Sequence, residues 1–499
     1  MTTKTQEVFS QSNASDQRAL DRSFLHAIAW TGGVKFTTQL LAWGSTLIVA
    51  RILTPVDFGI VSLGTVFFNL VSLVSEFGVG TAVVTLRDLS DGQLSQLNGL
   101  AVALGCLGFG TTLVAAYPMG HFFKSPQLPP VMIVLGIGFV ITSFQAVPAS
   151  LLQKELRFKL LALIDSVRGL LIPLATVSLA LAGLRYWALV FGSLLSGTVG
   201  TAATLIVRRQ AIRIPSYKKL APAVNFSFRV LIARVCWYVY TDSDFLVAGR
   251  TLGQAPLGGY TMAWTLAYNP MDKITTLMSS VMPAFFSALQ TEIAALKRYA
   301  LNLTEGLALL TFPITIGMGL VAGDFVRLVL GPKWELAIVP LAMLAFSASL
   351  RSISPVLSHV LIVTGEVNFG MWTAIVTAVA LPIAFYIGSR RGIVGIATVW
   401  LIACPLLLIV AYWRAAKKIE LTTAEYFRSL QPALTGSGLM IATILALKVL
   451  WGPGWPLVLR FVVEVLLGAF VYIGSILVLH RGRLGALMRR IRSTQRLQD

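Results

Sequence analysis

The chain has 499 residues, of which 56% are hydrophobic and 12% charged, with a mean hydropathy of +0.78. Its 40 Lys and Arg outnumber 21 Asp and Glu, for a net charge of +19. Soluble domains carry about 25% charged residues, so the composition excludes a soluble enzyme, a disordered chain and a fibrous protein, and points to a polytopic membrane protein.

Residues 1–27 are polar and lack the apolar core and cleavage site of a signal peptide, which predicts a short cytoplasmic tail. Fourteen apolar stretches follow, at 28–50, 60–84, 98–117, 131–153, 160–182, 187–207, 224–248, 258–286, 299–322, 336–363, 368–389, 393–413, 431–450 and 457–479. Each is long enough to span a bilayer as a helix, which takes about 20 residues. None shows the alternation of a transmembrane β-strand. Within the sixth, Gly192, Ser196 and Gly200 form a small-residue packing stripe.

Basic residues collect between spans, at Arg208, Arg209, Arg213, Lys218 and Lys219, at Arg414, Lys417, Lys418 and Arg428, and from Arg481 to Arg496. With both termini cytoplasmic, about 24 basic residues fall inside, about 8 outside and about 8 within spans, as the positive-inside rule requires. The charge is thus accounted for without nucleic acid. Cys106, Cys236 and Cys404 all fall within spans and are expected to be buried thiols. No two histidines have the spacing of zinc ligands, and no cofactor motif is present.

The chain repeats itself. Ala50-Arg51-Ile52-Leu53 with Phe58-Gly59 corresponds to Gly249-Arg250-Thr251-Leu252 with Leu257-Gly258, at an offset of 199 residues. Six spans separate the copies, so both insert in the same direction, as in carriers built from two parallel halves. The same offset places Lys35 of span 1 on Arg234 of span 7. The expected fold is all-α, with about fourteen transmembrane helices in two pseudo-repeated six-helix lobes plus two appended helices. The N-lobe covers 28–207 (spans 1–6), a basic loop 208–223, and the C-lobe 224–413 (spans 7–12). A cytoplasmic linker covers 414–430, the appended spans 431–480, and a basic tail 481–499.

Arg51-Ile52-Leu53-Thr54-Pro55-Val56-Asp57-Phe58-Gly59-Ile60, followed by Glu76-Phe77-Gly78-Val79-Gly80, resembles the opening of bacterial oligosaccharide flippases. These form the polysaccharide transporter family, Wzx-like, within the superfamily of multidrug, oligosaccharide-lipid and polysaccharide exporters. Asp244 to Gly253, Leu257 to Tyr260, Val281 to Gln290 and Gly331 to Trp334 are similar to later parts of the family. The resemblance runs from about 28 to 480 and implies translocation of undecaprenyl-diphosphate-linked oligosaccharides from the cytoplasmic to the periplasmic leaflet by alternating access, for exopolysaccharide, capsule or O-antigen synthesis. It implies a monomer in the bacterial inner membrane, with membrane lipids and a polysaccharide polymerase as candidate partners. The alternative is a multidrug exporter of the same superfamily. A polymerase or ligase is disfavoured, because the outer loops are short.

The charges within spans bear on the substrate. A cation in hydrocarbon costs about 3 kcal/mol or more, so it faces a wet cavity or a partner. Lys35, Arg229, Arg234 and Arg351 have no obvious partner along their own helices and are candidates for the substrate diphosphate, which Arg grips bidentately and Lys as a point charge. Asp272, Glu76 and Asp244 are candidates for a coupling ion or proton, Asp272 standing beside Pro270, which frees a backbone carbonyl. Asp244 could instead pair with Arg250. Arg460 and Glu464, four apart in an appended span, read as a structural pair. Tyr238, Tyr240, Trp264 and Tyr268 lie deep and either pack or line a cavity and stack on sugar rings. With no Gly-x-x-x-x-Gly-Lys-Ser/Thr loop, direct use of ATP is not expected.

Overall fold

The computed structural model describes residues 39, 41–76, 79–85, 89–215, 235, 238, 239, 241–290, 292–450 and 455–481. Among these, all extended regular structure is helical, and 11 helices are long and apolar enough to cross a membrane. In chain order the described helices, long and short, are α1 (Leu41–Ile52), α2 (Pro55–Glu76), α3 (Val79–Thr85), α4 (Asp91–Phe122), α5 (Leu128–Lys154), α6 (Phe158–Leu181), α7 (Trp187–Val207), α8 (241–252), α9 (Gln254–Ala288), α10 (Ile293–Leu320), the single turn α11 (Ala322–Phe325), α12 (Ile338–Val363), α13 (Val367–Ser389), α14 (Gly392–Lys418), α15 (Thr423–Leu450) and α16 (Leu457–Leu479). In a bilayer every backbone polar group must be satisfied within the chain, and helices achieve this segment by segment.

Local sequence sets several helix starts. Thr54 and Asp57 form a reciprocal capping box at α2: the Thr54 amide donates to the Asp57 carboxylate at 2.9 Å, and the Asp57 amide donates back to Thr54 Oγ1 at 3.3 Å. Ser90 and Gln93 repeat the arrangement at α4, and Thr422 and Glu425 at α15. That third box moves the start of α15 to Thr423, well before the apolar run at 431. The expected linker at 414–430 is therefore mostly helical, its charges riding on the ends of α14 and α15.

The chain forms two compact units. The first comprises Met1–Leu53, Phe67–Pro118 and Leu128–Ile232; the second comprises Thr54–Val66, Met119–Gln127 and Ala233–Asp499. In the first, α6 and α7 pack through the expected small-residue stripe. Gly192 faces Thr176, the Ser196 hydroxyl donates to the Arg168 carbonyl at 3.3 Å, and the Arg168 stem lies over Gly200. Close backbone approach of this kind drives helix association in lipid, where apolar burial alone gives no advantage. Phe68 stacks on Phe139 at 4.3 Å. The start of the basic loop is strapped along α4: the Arg213 amide donates to the Ser95 carbonyl at 3.0 Å, and Asn98 Nδ2 donates to the Gln210 carbonyl at 3.0 Å.

In the second unit, the first turns of α2 and α9 cross at their glycines. A Cβ on Gly59 would collide with the carbonyl of Gln254, and one on Gly258 with the carbonyl of Pro55. The contact is reciprocal, because Gln254 and Gly258 are Pro55 and Gly59 shifted by the repeat offset. α8 reaches α9 through Gly253, whose φ of +87° suits a residue without a side chain. The core of this unit runs through α9, α10, α12, α14, α15 and α16, with Tyr472 of α16 donating to the Leu309 carbonyl at 2.8 Å.

The appended helices carry a charge arrangement unlike the expected one. Arg460 has Glu464 within electrostatic reach, but its Nε donates to Asp324 of α11 at 2.8 Å. Glu464 is fully buried and lies 3.6 Å from Lys448 Nζ of α15, which also donates to the Leu320 carbonyl at 2.6 Å. Residues on neighbouring helices come closer than residues one turn apart, so tertiary partners displaced the local pairing. Of the expected buried thiols, Cys404 is buried, whereas Cys106 is exposed on the side of α4; Cys236 lies outside the described residues.

Candidate functional site

The charged candidates that the structure brings together lie inside the second unit, where α8, α9, α12 and α14 meet. α9 supplies Tyr260, Trp264, Tyr268 and Asp272, each four residues after the last, so they follow one slowly turning stripe of the helix. α14 supplies Trp400, α12 supplies Arg351, and α8 supplies Asp242 and Asp244.

The Arg351 guanidinium sits among ring faces. Its central carbon is 5.1 Å from the Tyr268 centroid and 5.5 Å from those of Trp264 and Trp400. Cations within about 6 Å of an aromatic face are attracted by the ring quadrupole, by about 0.5 kcal/mol when exposed and about 2 when desolvated. The rings are fixed by one another: Trp264 lies 4.1 Å from Tyr268 and 5.5 Å from Trp400, and Phe385 of α13 lies 5.4 Å from Trp400. Tyr268 is also tied to Ser347 by a 2.8 Å hydroxyl contact, one turn before Arg351 on α12. Asp242 and Asp272 both lie within electrostatic reach of the guanidinium.

Asp244 is fully buried beside this cage and accepts three hydrogen bonds: from Tyr260 Oη at 2.6 Å, Trp400 Nε1 at 2.8 Å and the Phe245 amide at 2.9 Å. Burying a carboxylate is costly unless its oxygens receive donors, and here two helices besides its own supply them. Asp244 therefore orients Trp400, which forms one wall of the cage. It does not pair with Arg250, which lies over the Phe122 ring at 4.9 Å.

A second polar cluster stands at the α12–α13 turn. Glu366 accepts from Arg414 Nε at 2.9 Å and pairs with Lys418 Nζ at 2.7 Å. The hydrogen bonds from Lys418 and Arg414 hold its carboxyl below the ordinary 4.5.

A sequence profile described as "Polysaccharide biosynthesis protein" matches residues 48–339 of the chain. The chain belongs to this family. The family member is 24% identical over 381 residues to the lipopolysaccharide biosynthesis protein WzxC of Escherichia coli K12, covering 74% of this chain and 76% of that one. It is 22% identical over 465 residues to the succinoglycan biosynthesis transport protein ExoT of Rhizobium meliloti, covering 92% and 94%. A solved structure of the lipid II flippase MurJ, in an inward closed conformation, shares its fold with a TM-score of 0.73 and 13% identity, over 91% of this chain and 100% of that one.

Of the candidate site residues in this polysaccharide biosynthesis family member, Arg351, Asp272 and Asp244 meet in one constellation. Lys35, Arg229 and Arg234 lie outside the described residues, and so does the side chain of Glu76. Sequence reasoning passed over Trp400, which stands 156 positions from Asp244 yet donates to it. Nothing near Trp400 in the chain signals that role. Trp264, Tyr268 and Arg351 each stood out in the sequence, but spacing along the chain does not show that they meet.

Proposed function

We propose that the chain is a flippase that moves undecaprenyl-diphosphate-linked oligosaccharide repeat units from the cytoplasmic to the periplasmic leaflet by alternating access. The observation that carries this reading is a guanidinium held among ring faces between membrane-length helices, in a chain of the polysaccharide biosynthesis family. Its similarity to a succinoglycan biosynthesis transport protein and its shared fold with a lipid II flippase support it.

In this reading the chain acts as a monomeric carrier in the bacterial inner membrane with both termini cytoplasmic, and it hands its cargo to a polysaccharide polymerase. It makes and breaks no covalent bond. Lys35, Arg229 and Arg234 contact the diphosphate. Arg351 adds positive potential from within its cage, where the ring faces hold its orientation. Asp272 and Glu76 couple an ion or proton to the movement, while Asp244 braces the cage.

Ligand binding tests the substrate class. Purified protein in detergent is titrated with an undecaprenyl-diphosphate oligosaccharide, undecaprenyl monophosphate and a lipophilic cationic dye, and thermal unfolding is followed. The diphosphate-linked sugar is expected to stabilise the chain most. Preferential stabilisation by the cation would support the multidrug exporter reading instead.

A further inference from the structure

Three ring faces around one point, with two carboxylates within electrostatic reach, form a receptor for a cation. Trp264, Tyr268 and Trp400 each present a face within 5.5 Å of the Arg351 guanidinium carbon, and Asp242 and Asp272 supply negative field. Cages of this composition recognise free organic cations, because the rings attract positive charge while excluding water. Here the cation belongs to the chain, on a long side chain rooted in α12.

We propose that Arg351 is a tethered occupant of an organic-cation site, and that its presence closes the site to free cations. Truncating the arginine opens the cage to a small planar or quaternary cation that takes the same partners. The cage walls are braced independently of the guanidinium: Tyr268 meets Ser347 at 2.8 Å, Trp400 donates to Asp244 at 2.8 Å, and Trp264 packs on Tyr268 at 4.1 Å. They are therefore expected to persist when the side chain is shortened. On this account Arg351 determines specificity: it bars cationic cargo from this position, whatever anion the carrier moves. The inference goes beyond the flippase reading, because it concerns equilibrium binding and requires no transport.

The test uses purified full-length protein in detergent. Wild type, Arg351→Ala and Arg351→Lys are titrated with guanidinium chloride to about 50 mM, with sodium chloride at matched ionic strength, and thermal unfolding is measured. A ligand that binds only the folded state raises Tm saturably. A saturable rise of about 2–4 °C is expected for Arg351→Ala, with none for wild type or Arg351→Lys, whose own cation remains. Adding Trp264→Leu to Arg351→Ala should abolish the rise. No guanidinium-specific rise in folded Arg351→Ala would overturn the proposal, and so would an equal rise in wild type. Should Arg351→Ala fail to fold, Arg351→Gln carries the same test with the same two outcomes. Recovery of either variant only when guanidinium is present throughout purification would support the proposal; failure of both despite it would overturn the proposal.

Discussion

Ser62 and Thr261 lie 199 positions apart and are hydrogen-bonded to each other at 3.0 Å. Their separation is the offset at which the sequence repeats itself. Equivalent positions of two copies touch one another only near a two-fold axis. The crossing of Gly59 over Gln254 and of Gly258 over Pro55 obeys the same relation. The first turns of α2 and α9 thus form a self-complementary joint.

The joint should resist added volume. Gly59→Ala and Gly258→Ala each place a methyl group against a backbone carbonyl, and overpacking of this kind costs about 1–3 kcal/mol. Both substitutions push apart the same crossing, so the double variant should lose less than the sum of the two. Thermal unfolding of the three variants in detergent checks this, and full additivity would mean that the two glycines act at separate contacts.

The cage brace should be measurable in the same way. Trp400→Phe keeps most of the ring but removes the donor to Asp244. A buried acceptor that loses a donor costs about 1–3 kcal/mol. Tyr260→Phe removes the other side-chain donor to Asp244 and should cost a similar amount. Because both bonds end on one carboxylate, the double variant should depart from additivity.

The polar link between α11 and α16 predicts an asymmetry. Arg460→Ala leaves Asp324, whose side chain is only 5% exposed, without the guanidinium that holds it. Breaking a buried pair from one side costs about 3–5 kcal/mol, whereas removing both partners costs less. Arg460→Met combined with Asp324→Leu should therefore be more stable than Arg460→Ala. The reverse order in thermal unfolding would mean that the pair itself contributes net stability.

Glu366 sets a pH dependence. Its carboxyl is held below the ordinary 4.5 by Lys418 and Arg414. A group depressed in the folded state contributes stability above its unfolded value, and loses it as the pH falls through the folded value. The contribution is thus constant at neutral pH and disappears on acidification below 4.5. Glu366→Gln should lower Tm at pH 7, and the gap from wild type should narrow as the pH falls below 4. A gap that is independent of pH would show that the effect is packing and not charge.

Much of the fold was legible because lipid leaves few choices. Apolar runs of sufficient length must be helices, so the spans at 187–207 and 457–479 coincide with α7 and α16. Capping residues fixed ends that hydropathy could not: Thr422 and Glu425 start α15 well before its apolar run. The repeat was readable from Arg51, Gly59 and their copies, because a close backbone crossing demands glycine twice. Partners across helices were not readable. Arg460 pairs with Asp324 and not with Glu464, and Asp244 binds Tyr260 and Trp400 and not Arg250. Each of these choices depends on which helices meet, and spacing along one helix carries no information about that.

Transport itself decides the central claim. Sealed proteoliposomes carrying a labelled undecaprenyl-diphosphate oligosaccharide are treated with an external glycosidase, with and without an imposed proton or sodium gradient. The account predicts protein-dependent exposure of the inner-leaflet sugar, beyond that of empty liposomes and responsive to one of the gradients. Exposure equal to that of empty liposomes, with folded protein and its native substrate present, would contradict it.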